Sequence, residues 1–195
     1  MARVEAQDGP FGCAAIRKRF WYPTARDRWR GALRTTWLAR SRVEREAANL
    51  ERIAAWGLQP PLLLAFGERR RLGLLHDSFL FTRALDARPL DERLRGERDD
   101  AARRRWLGAL GELVGGLHAR GFVDRDLHLR NVLATAEGTL AKIDSAFGAI
   151  VPRWRRGAAR RRDLDDLLAD LAAVTTESER AAFLRVYGAA AGSGG

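Results

Sequence analysis

Cysteine occurs once in 195 residues, at Cys13. That excludes an internal disulfide framework and fits a reducing compartment. No apolar run approaches the roughly 20 residues that span a bilayer, and Met1 to Pro10 carries no signal-peptide core. Lysine is nearly absent. Only two of the 35 Lys and Arg residues are lysines, Lys18 and Lys142. Arginine cannot replace lysine where a compact point charge must fit, so each of the two is a candidate for a specific task. What is plentiful points elsewhere. The hydrophobic fraction of 46% argues against disorder, and the length suits one domain or a compact pair of small lobes. A formal net charge of +10 favours anionic partners: phosphates, acidic lipid or nucleic acid.

Periodicity divides the chain into a strand-and-helix part and a mostly helical part. Residues 12–20 read as a strand with Lys18 at its charged end. Residues 26–40 predict a helix with Trp29, Leu33 and Trp37 on one face. Ser41 caps a second helix to Trp56, with Val43, Ala47, Leu50 and Ile53 on its apolar face and Gly57 as the stop. Leu62 to Phe66 and Ser78 to Thr82 read as buried strands. Leu85 to Gly96 is a polar, partly helical connection. A long helix runs from Ala101 to Arg120 and ends at Gly121. Val132 to Ala134 and Leu140 to Ile143 form a hairpin turning at Glu137-Gly138. Asp163 to Val174 and Glu179 to Tyr187 are amphipathic helices, and 189–195 is a frayed tail of small residues. This predicts an α+β fold in one domain over 1–188, with a seam near 82–86 between an N-lobe (about 1–84) and a C-lobe (about 85–188).

One constellation carries chemistry. The loop after the long helix reads Gly121-Phe-Val-Asp-Arg-Asp126-Leu-His-Leu-Arg-Asn131, and a hydrophobic strand then ends in Asp144. Phosphoryl transfer needs one carboxylate to orient a hydroxyl and take its proton. It also needs an amide and a second carboxylate to hold Mg²⁺ against phosphates. The Asp126-to-Asn131 spacing is that of the kinase pattern H-R-D-x-x-x-x-N, with Asp124 in place of the histidine. Lys18 fits as a phosphate-pairing lysine. Glu46, at the inner edge of the second helix, fits as the acid that holds it. Lys142 reads as the outward-facing residue of its strand.

At this point the sequence resembles the lipopolysaccharide core kinases, the Kdo/heptose kinase family, a small branch of the protein-kinase-like superfamily. The resemblance runs from about Ala15 to Tyr187. It rests on Ile16-Arg-Lys18, Ser41-Arg-Val-Glu-Arg-Glu46, Gly57-Leu-Gln-Pro-Pro61, Ser78 to Leu85, the Asp126 loop, Lys142-Ile-Asp144 and Arg162-Asp163-Leu-Asp-Asp-Leu. It implies a minimal protein-kinase-like fold and an ATP- and Mg²⁺-dependent transfer to a Kdo or heptose hydroxyl. By the same resemblance, Asp126 would be the base and Asn131 and Asp144 the metal ligands. Lys18 and Glu46 would be the phosphate-binding pair. The backbone of Thr82, Arg83, Ala84 and Leu85 would read adenine. His128 would lie near the transferred phosphate, and Asp163 would buttress the catalytic loop. His118 is expected to be structural.

Departures keep alternatives open. Asp144-Ser-Ala stands where Asp-Phe-Gly is usual. Asp124 alters the packing behind Asp144. Only 17 residues precede Lys18, so the segment 8–12 supplies at most one turn of a phosphate-covering hairpin. A pseudokinase on an anionic membrane is one alternative. The 18 residues between Asp144 and Asp163 leave little room for a peptide-docking platform and favour a glycan acceptor. A short atypical Ser/Thr protein kinase is the other alternative. Ten basic residues lie between Arg17 and Arg45, and six arginines with Trp154 between Arg153 and Arg162. They suggest a chain peripheral on the cytoplasmic face of the inner membrane. No nucleic-acid fold motif is present, so no nucleic-acid partner is expected.

Overall fold

Local chemistry sets the elements. Ser41 and Glu44 cap each other: the Ser41 hydroxyl accepts the Glu44 N–H, and the Glu44 carboxylate accepts the Ser41 N–H. This starts helix α1, Arg42–Ala55, and Gly57 ends it at φ 76°. The computed structural model describes residues 2–8, 12–22, 40–71 and 74–192. The helix predicted over 26–40 therefore lies almost wholly outside the described residues. Strands β1 (Ala2–Asp8), β2 (Ala14–Trp21), β3 (Leu63–Arg71) and β4 (Leu74–Arg83) form one antiparallel sheet in the order β1-β2-β4-β3. Lys18 lies within β2, opposite Leu80 of β4, rather than at the strand's end, because the ladder continues to Trp21. β4 alternates as a half-buried strand should, burying Ser78, Leu80 and Thr82. β3 is not the buried strand its apolar start suggested. It is the sheet's edge, and it leaves Phe66 46% exposed. Phe20, Val43, Ala47, Leu50 and Leu80 bind α1 to the sheet.

After β4 the chain crosses to the second lobe through β5 (Ala87–Pro89) and α2 (Leu90–Gly96). Asp99 caps the long helix α3, Asp100–Ala119, by accepting the Ala101 and Ala102 N–H groups. Gly121 turns the chain at φ 78°. Then come β6 (Phe122–Asp124), a 3-10 turn (Leu129–Asn131), β7 (Val132–Thr135), β8 (Leu140–Lys142) and β9 (Gly148–Ile150). Helix α4 spans Arg153–Ala172, starting ten residues before the predicted Asp163, since Arg and Ala are strong helix formers. Helix α5, Glu177–Gly192, continues past Tyr187 because Ala190 packs on Gly115 of α3. Leu107, Leu110, Val114 and Leu117 of α3 meet Phe122, Leu129, Leu167, Leu171 and Phe183 in the main core. Ile53 of α1 joins the same cluster, so α1 touches both lobes. No helix among the described residues is long and apolar enough to cross a membrane.

Candidate active site

Strand alternation puts Lys18 on the face of β2 that carries Phe20 into the core. Helix α1 supplies Glu46, 1% exposed, from its buried stripe. Lys18 Nζ lies 2.6 Å from Glu46 Oε1 and 3.5 Å from Asp144 Oδ1. Asp144 follows β8 with φ 55°, a left-handed conformation that Asp tolerates better than most residues. Arg42, at the start of α1, places a guanidinium nitrogen 3.3 Å from the same Asp144 oxygen and lies between the rings of Phe20 and Phe147. Burial alone would raise the Asp144 carboxyl. Lys18, Arg42 and Lys142 outweigh it and hold the group below its ordinary value. Burial raises Glu46 above its ordinary value against the pull of Lys18.

A cavity of about 230 Å³ opens beside these groups. Ile16, Lys18, Glu46, Thr82, Leu85 and Asp144 contribute to its wall. Arg83 also lines it, while Ala84 faces a neighbouring, larger cavity. The Arg83 and Ala84 N–H groups are already committed, to Leu62 O and Ala14 O.

The loop with Asp126 is tied to this cavity through the backbone. The Ile143 N–H donates to Asn131 O at 2.9 Å. The Asn131 side-chain amide nitrogen donates to Asp126 O at 2.9 Å, which leaves its oxygen as an acceptor for another partner. His128 Nδ1 is 3.1 Å from Asp170 Oδ2, and its Nε2 is 3.8 Å from Asp126 Oδ1. Asp163 accepts the Asp124 N–H at 2.6 Å from beneath the loop. His118 is buried and bonds Tyr187.

The structure thus gathers Lys18, Glu46, Thr82, Arg83, Leu85 and Asp144 at one cavity, with Asp126, His128 and Asn131 in the adjoining loop. Lys142 overturns the outward-facing expectation: it is fully buried and pairs with Asp124 at 3.0 Å. A three-residue strand gives too little alternation to assign faces. Three residues were missed. Arg42 reads in sequence as one charge in a basic run. Asp170 lies seven residues after Asp163, on the same face of α4, and also accepts the Leu129 N–H. Asn49 donates to Ser145 O and Gly148 O, anchoring α1 to the chain after Asp144; a polar residue three positions after Glu46 on the buried stripe was the signal.

Could these residues hold Mg²⁺? The donor set is one carboxylate and one free amide oxygen, both hard oxygen ligands. That suits a cation usually bound through one or two protein groups together with phosphates and water.

A sheet lobe, a helical lobe and a lysine–glutamate–aspartate cluster at their junction define the protein-kinase-like class. Two solved structures share the fold. The bifunctional kinase-methyltransferase WbdD matches with TM-score 0.50 at 22% identity, covering 91% of this chain and 41% of that one. A structure of monomeric WbdD matches with TM-score 0.53 at 21% identity, covering 90% and 42%. The chain therefore spans about two fifths of their length. No curated protein matches the sequence. The sequence profile of the lipopolysaccharide kinase (Kdo/WaaP) family matches residues 12–187. The chain belongs to that family.

Proposed function

We propose that the chain is an ATP-dependent kinase that phosphorylates a Kdo or heptose hydroxyl of the lipopolysaccharide inner core. The observation that carries this reading is Lys18, whose ammonium reaches both Glu46 and Asp144 at the wall of one cavity. Thr82, Arg83, Ala84 and Leu85 would hold adenine. Lys18 would hold the phosphates, and Glu46 keeps the lysine extended into the cavity. Asn131 and Asp144 would hold Mg²⁺, which when bound neutralises charge on the phosphate oxygens. Asp126 orients the sugar hydroxyl and accepts its proton as the new O–P bond forms and the β–γ bridging P–O bond breaks, releasing ADP. His128, fixed by Asp170, stands beside that carboxylate.

The acceptor would approach past β9 and the start of α4. There Phe147, Ile150 and Trp154 are exposed beside Arg155, and Arg125, Arg155 and Arg162 line a third cavity with Trp154. Aromatic groups among arginines suit a lipid-linked glycan at an anionic inner-leaflet surface on the cytoplasmic side.

The test is transfer from radiolabelled ATP to Kdo-bearing lipid A and, separately, to a heptosylated core. Labelling of either supports the reading; labelling of Kdo-bearing lipid A points to a Kdo hydroxyl, and labelling of the heptosylated core alone points to heptose. Asp126→Ala should lower turnover by about 10²- to 10⁴-fold, the range for loss of a general base. Wild-type turnover in that variant removes Asp126 as the base. Labelling of casein without a glycolipid would favour a protein kinase, and absence of ATP binding a pseudokinase.

A further inference from the structure

Lys142 ends β8, two residues before Asp144, and its side chain is 0% exposed. The Asp124 side chain, 1% exposed, stands where the kinase pattern has histidine. A buried ammonium and a buried carboxylate are each costly alone, and each offsets the other's desolvation. Lys142 Nζ lies 3.0 Å from Asp124 Oδ2 and donates to Ile143 O at 2.6 Å. The other Asp124 oxygen accepts the Asp126 N–H at 3.2 Å, and the Asp124 N–H is held by Asp163. One continuous path therefore runs from the strand that delivers Asp144, through Lys142 and Asp124, to the backbone of Asp126. A histidine at position 124 would give Lys142 no fixed counter-charge. The unusual Asp124 and the rare buried Lys142 account for each other.

We propose that Lys142 and Asp124 form a buried strap that sets the spacing between the Asp126 loop and Asp144, so that Lys142 is a positioning residue for phosphoryl transfer. The proposal rests on the kinase reading for its catalytic consequence, but not for its structural one.

The experiment compares wild type, Lys142→Met and the double variant Lys142→Met/Asp124→Asn. Lys142→Met should melt well below wild type, because Asp124 keeps a buried charge without its partner. The double variant should melt within about 3 °C of wild type, since neither charge remains. Its turnover on Kdo-bearing lipid A should nonetheless fall at least about 30-fold, while affinity for metal-free ATP by calorimetry moves less than about threefold, because Lys18, Glu46 and Thr82 to Leu85 are untouched. A double variant that regains both melting temperature and turnover makes the pair merely stabilising and overturns the proposal. So does wild-type turnover in Lys142→Met. If neither methionine variant folds, Asp124→Asn alone carries the turnover comparison, with the same outcomes. Amide hydrogen exchange separates the two readings. In whichever variant folds, Asp126 and Ile143 should exchange at least about tenfold faster while Leu107–Leu117 of α3 keep their protection. Unchanged exchange at both sites overturns the strap. If wild type transfers phosphate to no acceptor, the kinase reading fails and exchange alone decides the strap.

Discussion

Glu46 carries an unusual burden for a carboxylate. It is 1% exposed, one of its oxygens pairs with Lys18, and Oε2 has no hydrogen-bond partner among the described residues. Burial raises its carboxyl above the ordinary value even against the pull of Lys18, so its ionisation opposes folding at neutral pH, and more so once Lys18 is removed. Lys18→Met should therefore destabilise the chain by about 2–4 kcal/mol, toward the range for breaking a buried pair. Lys18→Met/Glu46→Leu should recover most of that loss without recovering ATP binding. Urea unfolding and nucleotide calorimetry on the two variants check both halves. Full recovery of ATP binding in the double variant would remove Lys18 from the phosphate site. Asp144 behaves in the opposite sense. Its folded carboxyl lies below its ordinary value, so its stabilising contribution is present at neutral pH and fades as pH falls through the acid range.

Helices α3 and α5 meet through small residues. A Cβ built on Gly115 would lie 2.5 Å from Ala190 Cβ and 2.9 Å from Tyr187 O, closer than atoms pack. Gly115→Val should cost about 2–3 kcal/mol and lower the melting temperature by roughly 5–10 °C. Gly108, on the same helix with nothing within 4 Å of its would-be Cβ, supplies the control. Gly108→Ala should stabilise by about 0.5–1 kcal/mol through helix propensity. Equal effects at the two positions would contradict the close helix contact. The α3–α5 junction is also held by charge. Arg103 NεH donates to Glu179 Oε1 at 2.6 Å, and the same guanidinium donates to the carbonyls of Leu94 and Val174. The hydrogen bond from Arg103 holds the Glu179 carboxyl at about 2, against an ordinary value near 4.5. A lowered carboxyl contributes fully above its unfolded value and loses that contribution as pH drops through the folded one. Wild type should therefore exceed Glu179→Gln in urea midpoint above about pH 5. The gap should close toward pH 2, and a gap independent of pH would exclude the carboxylate as its source.

At the scale of the whole molecule, arginines and exposed apolar side chains meet on one described surface, where Arg125, Arg155 and Arg162 line a cavity with Phe147 and Trp154. Phe147, Ile150 and Trp154 lie exposed in the segment that follows Asp144, next to Arg155. Binding to vesicles of anionic lipid should be salt-sensitive, and Trp154→Ser with Arg155→Glu should weaken it by about tenfold or more, at roughly 1 kcal/mol per arginine near the surface. Binding that survives high salt and these changes would place the contact elsewhere. A small sheet lobe followed by a helical part was legible in the sequence, because capping residues, glycines and hydrophobic period are local signals. So were the order and spacing of Asp126, Asn131 and Asp144, because a loop between two short elements keeps its spacing whatever packs around it. Lys18 and Glu46 were legible as residue types, but their 2.6 Å contact joins elements 28 positions apart. Lys142 was misread because a strand of three residues has no period to reveal which face is buried. Arg42, Asn49 and Asp170 were passed over because each acts on a backbone or carboxylate about 40 to 100 positions away, although the polar Asn49 on the buried stripe of α1 was a signal. Sequence alone determined helices α1 and α3, the hairpin and the order of the chemical groups, since those follow from bonds within a few residues. Only the tertiary structure decided which charges are buried and whom they face, since the desolvation that makes Glu46, Lys142 and Asp124 consequential exists only once distant elements have excluded water between them.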